Sequence, residues 1–202
     1  MKLILASASL RRAEILRNAG FEFSVYPAHV DESRLANEAA DDYVLRLARA
    51  KAKAVADRVI GNDSSRMVIG ADTVVLAEGQ ILGKPEGERD ARRMLRLLSG
   101  RTHDVLTGMA VIGLPNGPEY SHVEKTKVHF LELSSGDIGE YIATGEPFDK
   151  AGAYGIQGVG GRFISGIEGC YFNVMGLPLS RLWSILNRFS DSGTTLDIQK
   201  QN

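Results

Sequence analysis

An apolar run, Leu3-Ile4-Leu5-Ala6, leads into Ser7-Ala8-Ser9-Leu10-Arg11-Arg12 and then into a segment with helical spacing. Small hydroxyl residues where a strand meets a helix, followed by two guanidinium groups, are suited to receive an anion. The unpaired N–H groups of a helix mouth and the positive end of its dipole converge there with the hydroxyls of Ser7 and Ser9. Phosphate fits such a mouth best.

Three other places carry chemistry. In Ile69-Gly70-Ala71-Asp72-Thr73 an acid follows an apolar run. Ligands of open α/β sheets sit beyond the carboxyl ends of strands, so Asp72 is placed for metal or water handling. An Asx-turn or cap would use the same residue type. Lys51 shares a helix face with Val44, Leu47, Ala48 and Val55. An unpaired buried ammonium costs several kcal/mol, so Lys51 must either snorkel to water or meet an anion. Lys84, in Gly83-Lys84-Pro85, follows the Asp72 hairpin and could swing back over it; taken alone it reads as a surface lysine. The string Gly145-Glu146-Pro147-Phe148-Asp149-Lys150-Ala151-Gly152-Ala153-Tyr154-Gly155-Ile156-Gln157-Gly158 is glycine-rich yet charged and aromatic. Such backbone can cradle phosphate or lie against a planar base, and Gln157 offers a base edge both a donor and an acceptor. A tight structural turn explains the glycines equally well, and Asp149 with Lys150 could form an ordinary ion pair. The four histidines lack metal-binding spacing, neither a Walker A loop nor a Gly-x-Ser-x-Gly elbow is present, and Cys170 reads as a packed small side chain.

Alternating strand and helix patterns must position these groups, which makes the chain α/β. Ser9 caps a first helix whose stripe is Ala13, Ile15, Leu16 and Ala19, ending at Gly20. A strand over Phe21 to Tyr26 follows, then a long helix from about Ala40 to Arg58 free of Gly and Pro, and a turn at Gly61 to Ser64. Met67 to Ala71 is read as a strand, and Val74-Val75-Leu76 with Gln80-Ile81-Leu82 as a separate hairpin. A helix over 88 to 98, strands near 104 to 112 and 120 to 131, and a short helix capped by Ser134 or Ser135 come next. A strand over Phe163 to Ile167 and a helix from Pro178 to Phe189 complete the pattern. Residues 1–189 are expected to form a single domain and 190–202 a disordered tail.

Composition narrows the function classes. In 202 residues, 44% hydrophobic content supports a core, and 24 basic against 25 acidic residues give a net charge of −1. That balance offers no general attraction to nucleic acid or to a membrane surface, so any anion site is local. One cysteine excludes an internal disulfide, no span of about 18 apolar residues occurs, and a cytoplasmic location is expected.

Together, Ser7 to Arg12, Gly70-Ala71-Asp72-Thr73-Val74-Val75, Gly83-Lys84-Pro85, Leu98-Ser99-Gly100, the 145–158 string and Asn173 to Pro178 resemble the Maf family of nucleoside triphosphate pyrophosphatases. The resemblance runs in order from about residue 2 to 189. One departure is Leu10, where the family usually has Pro, the favoured first residue of a helix. The family likeness implies an elongated mixed sheet flanked by helices, in two lobes around a central cleft, as in Maf and inosine-triphosphatase folds. It implies hydrolysis of a nucleoside triphosphate to monophosphate and pyrophosphate with a divalent cation, Mg²⁺ or Mn²⁺. Asp72 would be the proton acceptor, Glu32 with Asp72 would hold the metal, and Lys51 and Lys84 would meet phosphate oxygens alongside Ser7, Ser9, Arg11, Arg12 and Lys150. Arg11, Thr73 and Gln157 match the branch that takes dTTP and UTP, and modified pyrimidines would be physiological targets. A homodimer is a family expectation. Hydrolysis of ITP, XTP or 7-methyl-GTP, and a non-enzymatic role in septum formation, are the competing readings.

Overall fold

A computed structural model describes residues 2–59 and 66–191, without the side chains of 190 and 191. Its elements run β1 (Lys2–Leu5), α1 (Leu10–Asn18), β2 (Phe23–Val25), α2 (Ala40–Val59), β3 (Arg66–Ala77), β4 (Gln80–Leu82) and α3 (Glu88–Leu98). Then come β5 (Thr102–Leu114), β6 (Glu119–Phe130), α4 (Ser135–Ala143), β7 (Ile164–Glu168), α5 (Tyr171–Met175) and α6 (Leu179–Asp191). The strands form a mixed sheet in the order β2-β1-β3-β5-β6-β7, with β4 on β3. β1 is parallel to both β2 and β3, whereas β4 on β3 and β7 on β6 are antiparallel.

Two compact units divide the chain. The first comprises Met1–Asp72, Thr107–Val123 and Gly176–Asn202, and the second Thr73–Leu106 and Glu124–Met175. In the first, α2 has acids in its opening turn and Arg58 in its last, both favoured by the helix dipole. Its Ala48, Ala52, Val55 and Ala56 pack with Ile4, Ala6, Val68 and Ala110. These side chains are small, and the strands beneath have glycines where α2 crosses. A Cβ on Gly70 would collide with the Ala48 carbonyl and lie 2.6 Å from the Ala52 amide nitrogen, and one on Gly108 would collide with the Val44 carbonyl. Helix backbone therefore lies directly on the sheet, at a separation that larger residues would prevent.

In the second unit, Val75, Leu82, Leu95, Leu98, Phe130 and Tyr141 belong to one buried cluster. Ala91, Met94, Leu95 and Leu98 line the inner face of α3 at helical spacing. α4 opens with a capping box in which Ser134 and Asp137 satisfy each other's backbone N–H groups.

Most expected elements are present, with some differences. The strand and hairpin expected on either side of Asp72 are one continuous twelve-residue strand, β3, whose distal end pairs with β4. β2 is shorter than Phe21 to Tyr26, because only Phe23–Val25 pair with β1. The 145–163 loop is wound into 3₁₀ turns at Glu146–Asp149 and Gly158–Phe163, with a tight turn between them in which Gly152 and Ala153 have positive φ, 69° and 59°. α5, five residues long, is too short for hydrophobic periodicity to reveal. The turn read at Gly61 to Ser64 lies outside the described residues, as does the tail beyond Asp191; α6 runs to Asp191, past the expected Phe189.

Candidate active site

Close packing of α2 on β3 sets the central geometry. Gly70 faces the α2 backbone, and the two-residue period of a strand puts Asp72 on that same face. Lys51 Nζ donates to Asp72 Oδ1 at 2.7 Å and is also 2.7 Å from Glu32 Oε1. Of the two outcomes open to Lys51, snorkelling or an ion pair, the fold takes the second: its side chain is 10% exposed and Asp72's 12%. The expectation that Asp72 stands at a strand end is corrected, since β3 continues to Ala77. The carboxyl-end argument survives in a narrower form. Parallel pairing of β1 with β3 ends at Leu5 and Ile69, and the Ala6 amide donates to the Ile69 carbonyl. Ser7 lies two residues beyond Leu5 and Asp72 three beyond Ile69.

The segment carrying Glu32 has no regular structure, and α2 anchors it. Tyr43 Oη donates to the Glu32 carbonyl at 2.8 Å, and Arg46 Nη2 to the Ser33 carbonyl at 3.0 Å. Arg46 also grips Glu38 through both carboxylate oxygens, at 2.6 and 2.8 Å, which pulls that carboxyl down to about 2. Burial and the negative charges of Asp72 and Glu32 push the Tyr43 phenol up, so it stays protonated as a donor. Sequence reading missed Tyr43 and Arg46, because a helix face that restrains an irregular loop has no spacing signature.

The mouth of α1 supplies the positive side. Ser9 is the N-cap, its hydroxyl accepting from the Arg12 amide at a long 3.5 Å. Arg12 is buried, donating from Nε to the Gly176 carbonyl at 2.8 Å and from Nη1 to Ser7 Oγ at 3.0 Å. Burial lowers the affinity of this guanidinium for its proton, and Asp72 and Glu32 oppose that effect. Those charges couple the helix mouth electrically to the carboxylate pair. Arg11, half-buried on the first turn of α1, adds a second positive charge beside Arg12. Seven of the predicted residues, Ser7, Ser9, Arg11, Arg12, Glu32, Lys51 and Asp72, thus belong to the first unit.

Thr73, Lys84, Lys150 and Gln157 belong to the second. Thr73 follows Asp72 in β3 and is half-buried, and Lys84 is exposed just after β4. The Gly152 amide donates to the Gly83 carbonyl at 3.0 Å, tying the Lys84 turn to the segment that holds Lys150. Lys150 Nζ donates to Asp149 Oδ1 and to the Glu146 carbonyl, each at 2.7 Å, so the Asp149–Lys150 ion pair is present. Its stem crosses Gly155, where a Cβ would lie 2.8 Å from Lys150 Cε. Gln157 is half-buried on the same segment. A surface concavity along α3, lined by Arg89, Arg92, Arg93 and Arg96, contains none of the predicted residues, and Arg92 and Arg93 there are paired with Glu88 and Asp90.

Among the described residues no group of three or more His, Cys, Asp or Glu could hold a metal ion. The donors that converge are a pair of carboxylates, Glu32 and Asp72, on a single ammonium. Mg²⁺ characteristically takes one or two carboxylates and completes its shell with water and substrate phosphate. Two hard oxygen donors already gathered around a positive charge fit that pattern.

The chain resembles curated proteins along almost its whole length. The dTTP/UTP pyrophosphatase of Koribacter versatilis (strain Ellin345) is 53% identical over 188 residues, covering 93% of this chain and 94% of that protein. The protein of the same name from Moorella thermoacetica (strain ATCC 39073 / JCM 9320) is 50% identical, covering 93% and 95%. That from Geobacillus sp. (strain WCH70) is 52% identical, covering 89% and 94%. The sequence model of the Maf family, described as Maf-like protein, matches residues 2–189, and on that match the chain belongs to the Maf family.

Proposed function

We propose that this protein hydrolyses dTTP and UTP, and triphosphates of modified pyrimidines, to the nucleoside monophosphate and pyrophosphate. The observation that carries the reading is the Lys51 ammonium held between Asp72 and Glu32, next to the parallel-strand ends and electrically coupled to Arg12. Relatives about half identical along almost the whole chain, named for this activity, support it.

In this reading Asp72 accepts the proton of the attacking water. Glu32 and Asp72 hold a divalent cation, Mg²⁺ or Mn²⁺, which when bound neutralises phosphate charge. Lys51 orients Asp72 in the resting protein and meets phosphate oxygens when substrate arrives. Arg12, positioned by Gly176 and Ser7, acts with Ser9, Lys84 and Lys150 on the triphosphate. Phosphoryl chemistry needs this kind of preorganised positive surround more than it needs covalent machinery. Arg11, Thr73 and Gln157 read the base, with the Gln157 amide matching an imide edge as donor and acceptor. A cytoplasmic location and a homodimeric state belong to the same proposal.

Asp72→Asn keeps the size and polarity of the side chain but removes the base. Turnover of UTP should fall by about a thousandfold, within the usual range for losing a general base. Single-turnover kinetics with UTP and Mn²⁺ check this, and turnover within tenfold of the unsubstituted protein would remove Asp72 from the chemistry.

A further inference from the structure

Gln157 sits on glycine-rich backbone, which by itself would not hold an amide still against a base edge. The residues on both sides of it are pinned. Upstream, the Gly155 amide donates to Tyr141 Oη at 3.2 Å. Downstream, the Val159 amide donates to Glu146 Oε2 at 2.9 Å and the Gly160 amide to Glu146 Oε1 at 3.2 Å. These anchors are joined, because Tyr141 Oη donates to Glu146 Oε1 at 2.9 Å. The Glu146 main-chain carbonyl also accepts from Lys150 Nζ. One residue therefore holds the bracket around Gln157 and the head of Lys150.

The packing leaves no slack. Tyr141 is fully buried against Phe163, with ring centroids 5.2 Å apart, so its hydroxyl is a fixed point. A Cβ on Gly160 would come within 2.5 Å of that hydroxyl. Gly158 has a positive φ of 74°, and a Cβ there would lie 2.7 Å from Glu146 Oε2. The glycines thus let the chain close tightly over a carboxylate and a phenol.

We propose that Glu146 and Tyr141 are positioning residues for base selection, fixing Gln157 by holding the amides on both sides of it. This deepens the proposed function and rests on it, since it concerns how the pyrimidine is read. Only an anionic carboxylate accepts all three donors. Glutamine at 146 supplies one acceptor oxygen and turns an NH₂ toward an N–H group it should receive. Phenylalanine at 141 fills the same space and removes the hydroxyl link.

The test compares kcat/KM for UTP and ATP in the unsubstituted protein, Gln157→Ala, Glu146→Gln, Tyr141→Phe and the Glu146→Gln/Gln157→Ala double variant. Glu146→Gln and Tyr141→Phe should each lose about tenfold in UTP-over-ATP preference, mainly through KM, the equivalent of one hydrogen bond. The double variant should be no less selective than Gln157→Ala alone, because all the changes act through one amide. Hydrogen exchange over 155–160 should quicken in Glu146→Gln and in Tyr141→Phe while exchange in β5 stays as it was. Intact selectivity in Glu146→Gln and Tyr141→Phe where Gln157→Ala has lost it, or losses that multiply in the double variant, would overturn the inference. If the unsubstituted protein does not turn over UTP, the proposed function fails on its own. Exchange then decides the positioning role, with unchanged protection over 155–160 overturning it.

Discussion

His103 lies in the core of the second unit, 3% exposed, edge-on to the rings of Phe130 and Tyr154 and within 2.8 Å of the Tyr154 hydroxyl through Nε2. Its Nδ1 has no hydrogen-bond partner among the described residues. Burial, only partly offset by the negative charge of Asp104, pushes the imidazole down to about 4. Between the ordinary value of 6.5 and that figure the unfolded chain binds a proton that the folded one refuses. This contribution to stability is therefore complete above pH 6.5 and is lost as pH falls toward 4, to the extent of about 3 kcal/mol. His103→Gln keeps a polar contact to Tyr154 and cannot titrate. Denaturant unfolding from pH 7 to pH 4 should show a shallower loss of stability in that variant, and identical slopes would mean that His103 is not the group responsible. Lys51 makes the related point for a cation. Its place in an apolar stripe is visible in the sequence, but its two partners are 19 and 21 positions away in opposite directions, and only the packing of α2 on β3 names them.

At the scale of elements, the decisive feature is how closely α2 approaches the sheet. Gly70→Ala places a methyl group into helix backbone, which cannot swing aside as a side chain could. A cost of about 3 kcal/mol and a Tm lower by roughly 10 °C are expected, along with reduced turnover as Lys51 is levered away from Asp72. Gly139 is the contrasting case. It lies inside α4, and the nearest group to an added Cβ is Arg92 Nη1 at an ordinary 3.9 Å. Gly139→Ala should gain about 0.5–1 kcal/mol from helix propensity, raising Tm by roughly 2–3 °C with turnover unchanged. Paired thermal melts decide the matter; a neutral Gly70→Ala would mean that the separation of α2 and β3 is not set by these contacts.

Across the whole molecule, what was legible in the sequence follows from the range of the forces involved. Helix limits were clear where caps and periodicity act locally, as at Ser9 and the Glu88–Leu98 stripe, while of the two serines open as the cap of α4 the structure takes Ser134. The continuity of β3 through Asp72 was not, because a polar residue within an apolar run ends a strand by pattern, and the ion pair that lets it continue comes from another element. Local spacing likewise marked Ser7, Arg12 and Lys51, but gave no sign of Tyr43 or Arg46 and no role to Glu146 within its glycine-rich string, because these residues act by holding loops. If these parts compose a pyrimidine triphosphate pyrophosphatase, product analysis on a nucleotide panel with Mn²⁺ will show it. dTTP and UTP should be the preferred substrates, each yielding monophosphate and pyrophosphate. Preferred turnover of 7-methyl-GTP, ITP or XTP, or release of orthophosphate in place of pyrophosphate, would contradict it.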